Sequence, residues 1–160
     1  MLSPEVFASY SVTGARIVRP APPQVRSGQA HLFRSVIRQQ AATGPNFAGH
    51  YTLVWIGCGA ATVCPAIVDA IDGRVFFPPE LGAVSALDTI SDDDGFDIVN
   101  VRRDSRLLIV MGSPRETESR AGASYYEWRN DRLHLQRFVP LSRLCGTSSR
   151  LLKKGFHCPV

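Results

Sequence analysis

Residues 123–138, Ala-Ser-Tyr-Tyr-Glu-Trp-Arg-Asn-Asp-Arg-Leu-His-Leu-Gln-Arg-Phe, contain the clearest strand pattern in the chain. Residues that favour strands occupy two arms, residues 123–128 and 133–138, and the polar residues 129–132 lie between them. In the second arm side chains alternate, which places one set on each face of a strand. The segment therefore predicts an antiparallel β-hairpin with one mostly apolar and one mostly polar face.

Further strands are predicted upstream of this hairpin. Asp72-Gly73 is a dipeptide typical of short hairpin turns, because glycine adopts positive φ at no steric cost. The polar residues Arg103-Asp104-Ser105 also separate two mostly apolar arms. The predicted hairpin arms are residues 66–70 with 74–77 and residues 98–102 with 106–111, single strands are expected at residues 50–56 and around residues 15–18, and residues 80–97 predict a loop.

One helix is predicted over residues 29–42. Apolar side chains recur there at helical spacing, so they would share one face. Ser27 is placed to cap the start of this helix and Gly44 to end it. The side chains on the shared face are Leu32, Phe33, Val36 and Ile37.

Together these elements predict an α+β fold, with an antiparallel β-sheet or small β-sandwich built from hairpins and flanked by one N-terminal helix. The 160 residues, 44% of them apolar and 20% charged, fit a single domain with one sizeable core. Within this domain we expect residues 1–28 to form an extended lead-in and Pro-rich linker. Residues 145–160 are expected to form a tail pinned by a disulfide.

The net charge of +4 does not by itself indicate a nucleic-acid partner. The basic residues that follow Asp131 are spread between apolar ones, as on an ordinary solvated surface, and no zinc-finger, helix-turn-helix or RNA-binding signature accompanies them. No run of about 18 apolar residues could cross a bilayer. We therefore expect neither nucleic-acid binding nor membrane insertion, although a basic tail that binds nucleic acid stays as an alternative.

The four cysteines form two local couples, Cys58 with Cys64 and Cys145 with Cys158, and allow three pairings. We favour two disulfides over reduced thiols or a zinc site, because neither couple has the two-residue gap of a zinc knuckle. A bridge that closes about 14 residues in the tail would stabilise the fold by roughly 3 kcal/mol. Disulfides persist in oxidising compartments, so this predicts a periplasmic or secreted protein whose leader has been removed, with the cytoplasm as the alternative.

Residues 46–51, Asn-Phe-Ala-Gly-His-Tyr, are followed by Trp55, by Gly-Cys-Gly at 57–59 and by Cys64 before Ala-Ile-Val-Asp at 66–69. This run resembles a set of small exported bacterial proteins of uncharacterised function. Matching segments at residues 104–108 and 125–128 extend the resemblance over residues 44–138. The resemblance implies export and a bridge between Cys58 and Cys64, and it implies no activity.

An enzymatic alternative rests on His50 and Cys58. His50 could act as general base for a Cys58 thiolate, with the backbone amides around Gly57 and Gly59 as an oxyanion site. This would make the protein a hydrolase or transferase, and it requires Cys58 to be reduced and exposed. In the opposing interpretation His50 is structural and hydrogen-bonds the backbone at the glycine turn before it.

The acidic segment that contains Asp92, Asp94 and Asp97 has a superficial likeness to a calcium site. Alignment with an EF-hand loop places Ile90 and Val101 at required ligand positions, so an EF-hand is rejected. A calcium site of another type that uses the three aspartates stays as a weak alternative. No dinucleotide, phosphate-loop, serine-hydrolase or zinc-protease motif occurs, and we expect no cofactor.

Tyr125, Tyr126 and Trp128, with Arg115 and Arg120 nearby, form a candidate binding surface. On a strand Tyr125 faces away from the other two aromatic residues, so one set must point away from any single core. The opposing interpretation is a half-buried strand in a two-layer fold. Tyr, Trp and Arg are enriched where proteins bind proteins, so an exposed set would indicate a protein partner.

These observations favour a non-enzymatic exported binding domain. Residues 113–122 have the length and composition of a protruding loop. The most concrete form of the hypothesis is an inhibitor or immunity-type protein that inserts this loop into a cell-wall hydrolase. Whether the protein is an enzyme stays open, with the absence of an assembled catalytic motif weighing against it.

Overall fold

The computed structural model describes residues 4–14, 17–87 and 97–146. Within these residues the chain forms two antiparallel β-sheets and four short helices, so the predicted α+β class with a sandwich-like arrangement is confirmed. The helices are α1 (Pro4–Ala8), α2 (Gly28–Leu32), α3 (Arg34–Ala41) and α4 (Leu141–Gly146). The strands are β1 (Tyr51–Val54), β2 (Gly57–Gly59), β3 (Thr62–Val63), β4 (Ala66–Asp69), β5 (Val75–Phe76), β6 (Val84–Ala86), β7 (Val99–Val101), β8 (Leu107–Ser113), β9 (Gly122–Arg129) and β10 (Arg132–Pro140).

The smaller sheet has the strand order β1-β4-β5, and the larger sheet has the order β10-β9-β8-β6-β3-β2 with β7 paired to β8. All three predicted hairpins are present: β4 with β5, β7 with β8, and β9 with β10. Three pairings involve strands that the sequence did not predict. The hairpin of β2 and β3 is one of them, and β6 lies inside the predicted loop at residues 80–97.

In the described part of the chain, three apolar clusters separate four layers. The first cluster lies between the two sheets and joins Leu53 and Ile67 of the smaller sheet to Leu108 and Trp128 of the larger one. The second covers the outer face of the larger sheet with residues of α1 and α4, and the third covers the outer face of the smaller sheet with residues of α3. The order of layers is therefore helix, small sheet, large sheet, helix.

The free edge of β1 is closed by two side-chain amides. Asn46 accepts the N–H of Leu53 at 2.7 Å and donates to its carbonyl at 3.2 Å. Gln40 of α3 does the same for Trp55, accepting its N–H at 2.8 Å and donating to its carbonyl at 2.7 Å. Because an amide side chain presents the same donor and acceptor as a peptide group, the two residues replace a neighbouring strand and protect the edge from pairing with another chain.

The hairpin of β9 and β10 has a two-residue turn at Asn130 and Asp131, both with positive φ, as type I′ turns require. A β-bulge at Gln136 shifts the register between Leu135 and Arg137. As a result Phe138 lies on the same face as Leu135, opposite to the face expected from simple alternation.

The predicted helix at residues 29–42 is broken at Phe33, whose ψ of 19° separates α2 from α3. The break turns Leu32 away from the core, and its side chain is exposed rather than buried as expected. Ile37, from the same predicted face, is fully buried. Gly44 follows the end of α3 with positive φ, whereas the Ser27 side chain makes no capping hydrogen bond, contrary to prediction.

Two further expectations about the N-terminal segment are wrong within the described residues. Residues 17 and 18 are not in a strand. Residues 1–28 were expected to be extended, but they contain α1. This helix buries the Phe7 side chain on the outer face of the larger sheet. Apolar patterns of only five residues are too short to indicate a helix by periodicity.

Candidate functional site

The hairpin of β2 and β3 carries a disulfide between Cys58 and Cys64, which confirms that part of the prediction. Cys58 is exposed and its strand lies at the outer edge of the larger sheet. The bridge closes a short loop around the turn at Ala60 and Ala61. The side chain of Cys145 and all of Cys158 lie outside the described residues, so the second predicted bridge does too.

His50 contacts a carboxylate rather than a thiol. Its Nδ1 lies 3.0 Å from Oδ1 of Asp69, a side chain at the end of β4 that is only 5% exposed. The same carboxylate oxygen accepts the N–H of Ile71 at 2.8 Å, and Arg74 lies 3.7 Å from Oδ2. The His50 ring stacks against Tyr51, with 4.2 Å between the ring centroids. The Asp69 carboxylate and the Tyr51 ring therefore fix the orientation of the His50 ring.

Asp131, at the tip of the β9–β10 turn, links this cluster to the larger sheet. It accepts the Tyr51 hydroxyl at 3.0 Å and a guanidinium N–H of Arg74 at 3.1 Å. Burial raises the pKa of Tyr51 to about 12, and the carboxylates of Asp131 and Asp69 add to this shift. Arg74 also binds Asp72 at 2.6 Å, and the pKa of Asp72 is lowered, chiefly by the hydrogen bond from the Arg74 backbone. The cluster thus ties the two sheets together at one end.

The structure does not bring His50 and Cys58 together. His50 directly precedes β1, whereas Cys58 lies in β2 beyond the other end of that strand. Because Cys58 is joined to Cys64, it offers no thiolate for attack. The expectation of a Cys58–His50 nucleophile pair is therefore wrong for this structure, and a carboxylate-bound histidine with structural partners replaces it.

The aromatic residues of β9 do not form the exposed surface that was expected. Tyr125, Tyr126 and Trp128 are 6%, 6% and 3% exposed. Tyr126 and Trp128 point into the cluster between the sheets, and Tyr125 points into the cluster under α1 and α4. The expectation of an exposed set is wrong because the larger sheet is covered on both faces, and burial also raises the pKa of Tyr125 and of Tyr126.

Arg115 and Arg120 do lie at the surface, in the loop of residues 114–120 that joins β8 to β9. Every residue from 115 to 120 is exposed, as expected for a protruding loop. The loop consists of two short 3-10 turns, Pro114–Glu116 and Glu118–Arg120. Arg115 and Glu116 have positive φ values of 57° and 52°, a backbone conformation that residues other than glycine rarely adopt.

Backbone hydrogen bonds hold the base of this loop. The N–H of Arg115 donates to the carbonyl of Leu81 at 2.8 Å, and the N–H of Glu116 donates to the carbonyl of Ala83 at 3.1 Å. Pro114 is buried. These contacts with the segment before β6 keep two strained residues in a fixed conformation.

A cavity of about 300 Å³ lies between the loop and the larger sheet. Its floor includes Tyr126 and Leu135, which face each other in the β9–β10 register, and Leu135 is 43% exposed. The smaller sheet covers Trp128 on this face, through Tyr51 and Phe76, but leaves Leu135 open. The charged residues that line the cavity are Glu80, Arg115 and Arg120.

Of the three aspartates proposed for calcium, Asp92 and Asp94 lie outside the described residues. Asp97 is exposed, and its carbonyl accepts a hydrogen bond from the Asn100 side chain at 2.6 Å. Within residues 4–14, 17–87 and 97–146 there is no group of three His, Cys, Asp or Glu side chains that could hold a metal ion.

Sequence reasoning missed two features of these sites. Asp69 and Asp131 are far apart along the chain, and both lie beside Arg74 only because the two sheets pack together. Glu80 and Leu135 reach one cavity because β6 inserts between β3 and β8. The Asp72-Gly73 turn was the only signal that could have placed Arg74 next to Asp69.

Among the residues that the structure describes, no helix has the length and apolar character needed to span a bilayer. Comparison of the chain with protein families, curated proteins and solved structures gives no match.

Proposed function

We propose that this chain is a non-enzymatic exported binding domain whose binding element is the loop of residues 114–120. In its most concrete form, the protein is an inhibitor or immunity-type protein that blocks a cell-wall hydrolase. The observation that carries this proposal is the combination of full exposure at residues 115–120 with a hydrogen-bonded base. A loop fixed before binding loses less conformational entropy on binding than a flexible one.

The rest of the molecule is consistent with a scaffold for this loop. β8 and β9, which carry it, are buried along almost their whole length. Binding residues are often found on loops held by such rigid elements. The Cys58–Cys64 bridge supports export, because disulfides persist in oxidising compartments.

The proposal is tested by measuring peptidoglycan lysis by purified cell-wall hydrolases of different bond specificities, with and without this protein. The informative variant replaces residues 115–120 by Gly and Ser. It leaves the net charge unchanged, since the loop carries two arginines and two glutamates. Glycine at positions 115 and 116 also adopts positive φ without strain. A surface control is Arg34→Ser on α3, away from the loop.

We expect dose-dependent inhibition of at least one hydrolase by the native protein and by the Arg34→Ser variant. The loop variant should lose inhibition while its thermal midpoint stays close to that of the native protein. Inhibition that survives replacement of the loop would overturn the assignment of the binding element. No inhibition of any hydrolase in the panel would overturn the inhibitor hypothesis.

A further inference from the structure

The cavity between the loop and the larger sheet contains charges of both signs that do not pair with one another. Glu80, Arg115 and Arg120 all line it. Within the described part of the chain, neither arginine forms an ion pair with Glu80 or with any other carboxylate. All three side chains therefore lack an ion-pair partner in the described part of the chain.

Among these residues, Glu80 gives the strongest indication that the cavity binds a ligand. Its Oε2 atom is buried and has no hydrogen-bond partner among the described residues. A buried polar atom without a partner is costly, and such atoms in folded proteins call for an explanation. Because an ionised carboxylate only accepts hydrogen bonds, the matching ligand group at Glu80 is an N–H or O–H donor.

The two arginines offer the opposite chemistry. The Arg120 guanidinium lies over the Phe138 ring, 5.4 Å from its centroid, and the Arg115 backbone is fixed to Leu81. The Arg120 guanidinium is therefore restrained at the cavity, and the Arg115 side chain extends from a fixed backbone. A guanidinium binds carboxylates through paired N–H donors, so the matching ligand group beside the two arginines is a carboxylate.

Leu135 and Pro114 add an apolar surface to the same cavity. A ligand that fits must therefore combine a carboxylate, a nearby hydrogen-bond donor and a small apolar group. The C-terminal residue of a peptide chain has all three: its carboxylate, its backbone N–H and its side chain. A volume of about 300 Å³ is at the small end of ligand cavities and suits a single terminal residue with its peptide group.

We propose that this cavity binds the C-terminal residue of a partner chain when that residue is apolar. Arg115 and Arg120 bind the terminal carboxylate, Glu80 accepts the N–H of the last residue, and the side chain packs on Leu135. The inference deepens the proposed function, since it names the group that a partner presents beside the binding loop. The inference rests on the proposed function only in assuming that a protein partner exists.

The test titrates the full chain with N-acetyl-glycyl-leucine and follows binding by calorimetry and NMR. Three altered peptides each remove one contact: the C-terminal amide, the peptide with an N-methylated leucine, and the peptide with aspartate in place of leucine. We expect saturable binding of the acid and at least about tenfold weaker binding of the amide, because the amide carries no charge for the guanidiniums to bind.

Two substitutions assign the contacts to residues. Arg120→Gln should weaken binding of the acid to the level of the amide. The control is Arg129→Gln, at the end of β9 and outside the cavity lining, which should not change binding of the acid. Glu80→Leu should bind the N-methylated and unmethylated peptides equally. Glu118→Leu, in the exposed loop but not in the lining, should still distinguish them.

Equal binding of acid and amide, or no saturation by about 10 mM peptide, overturns the inference. Peptide binding without hydrolase inhibition would retain the cavity assignment and reject the inhibitor hypothesis. Loop-dependent inhibition without peptide binding would retain the inhibitor hypothesis and reject the cavity assignment. The thermal midpoint of each variant shows that a lost signal does not come from unfolding.

Discussion

Replacement of Gln40 by methionine tests whether the side-chain amides really close the edge of β1. Methionine has nearly the same length and helix propensity as glutamine, so α3 and its packing are retained. What disappears is the pair of hydrogen bonds to the backbone of Trp55, at 2.8 and 2.7 Å. The substitution therefore leaves one backbone donor and one acceptor at a partly buried edge without partners.

The expected cost follows from these two bonds. A buried group that loses its partner costs about 1–3 kcal/mol, and partial burial at this edge places each loss near the lower end, for a total of about 2–3 kcal/mol. In a domain of this size each kcal/mol lowers the thermal midpoint by about 2–4 °C, so we expect a decrease of about 5–10 °C. This is a large fraction of the usual 5–15 kcal/mol of stability.

The neighbouring residue of the same helix is a matched control. Gln39 is exposed, and Gln39→Met should change the free energy of unfolding by less than about 0.5 kcal/mol. Urea unfolding followed by tryptophan fluorescence compares the two variants directly, and hydrogen exchange at the Trp55 amide should accelerate only in Gln40→Met. If Gln40→Met is no less stable than Gln39→Met, the amide does not contribute to the edge and the reasoning fails.

Two other predictions concern the clusters at either end of β1. Tyr51→Phe should cost about 1 kcal/mol at neutral pH by removing the hydroxyl that Asp131 accepts. The native protein, whose Tyr51 pKa is raised from 10.0 to about 12, should lose stability between those pH values, because the unfolded state releases that proton first. Urea unfolding of both proteins at pH 8 and near pH 11 should show the gap between them shrinking, and an unchanged gap would contradict the assignment. For the disulfide, the Cys58→Ser and Cys64→Ser double variant should lose about 2 kcal/mol, as expected for a short closed loop. Alkylation of the denatured, unreduced protein followed by peptide mapping should leave both cysteines unlabelled, and labelling at either site would refute the bridge.

Local patterns in the chain were enough to predict the β4–β5, β7–β8 and β9–β10 hairpins and their turns. Asp72-Gly73 and the strand-favouring residues within 123–138 act over a few residues, so the turns that they predict do not depend on the rest of the chain. The pairing of Cys58 with Cys64 is also local, since only a two-strand turn separates the two residues. The class of fold followed from these elements.

Other features depended on which elements pack against each other. Short helices such as α1 carry no periodicity of their own, yet α1 and α4 cover the outer face of the larger sheet and bury Tyr125. That second layer is the reason why β9 exposes no aromatic side chain, and no pattern within β9 could reveal it. The kink at Phe33 and the bulge at Gln136 likewise reverse the faces that simple periods predict.

By itself the sequence determined three of the hairpins, the turns that close them and the proximity of Cys58 to Cys64, because these depend on backbone preferences over short distances. Only the tertiary structure decided which faces are buried and which side chains meet. His50 and Asp69 are brought together by the pairing of β1 with β4, and Tyr51 and Asp131 by the packing of the two sheets. Glu80 and the two arginines of the loop line one cavity although they are separated along the chain. Their proximity depends on the burial of apolar surface by the whole chain, which no single segment specifies.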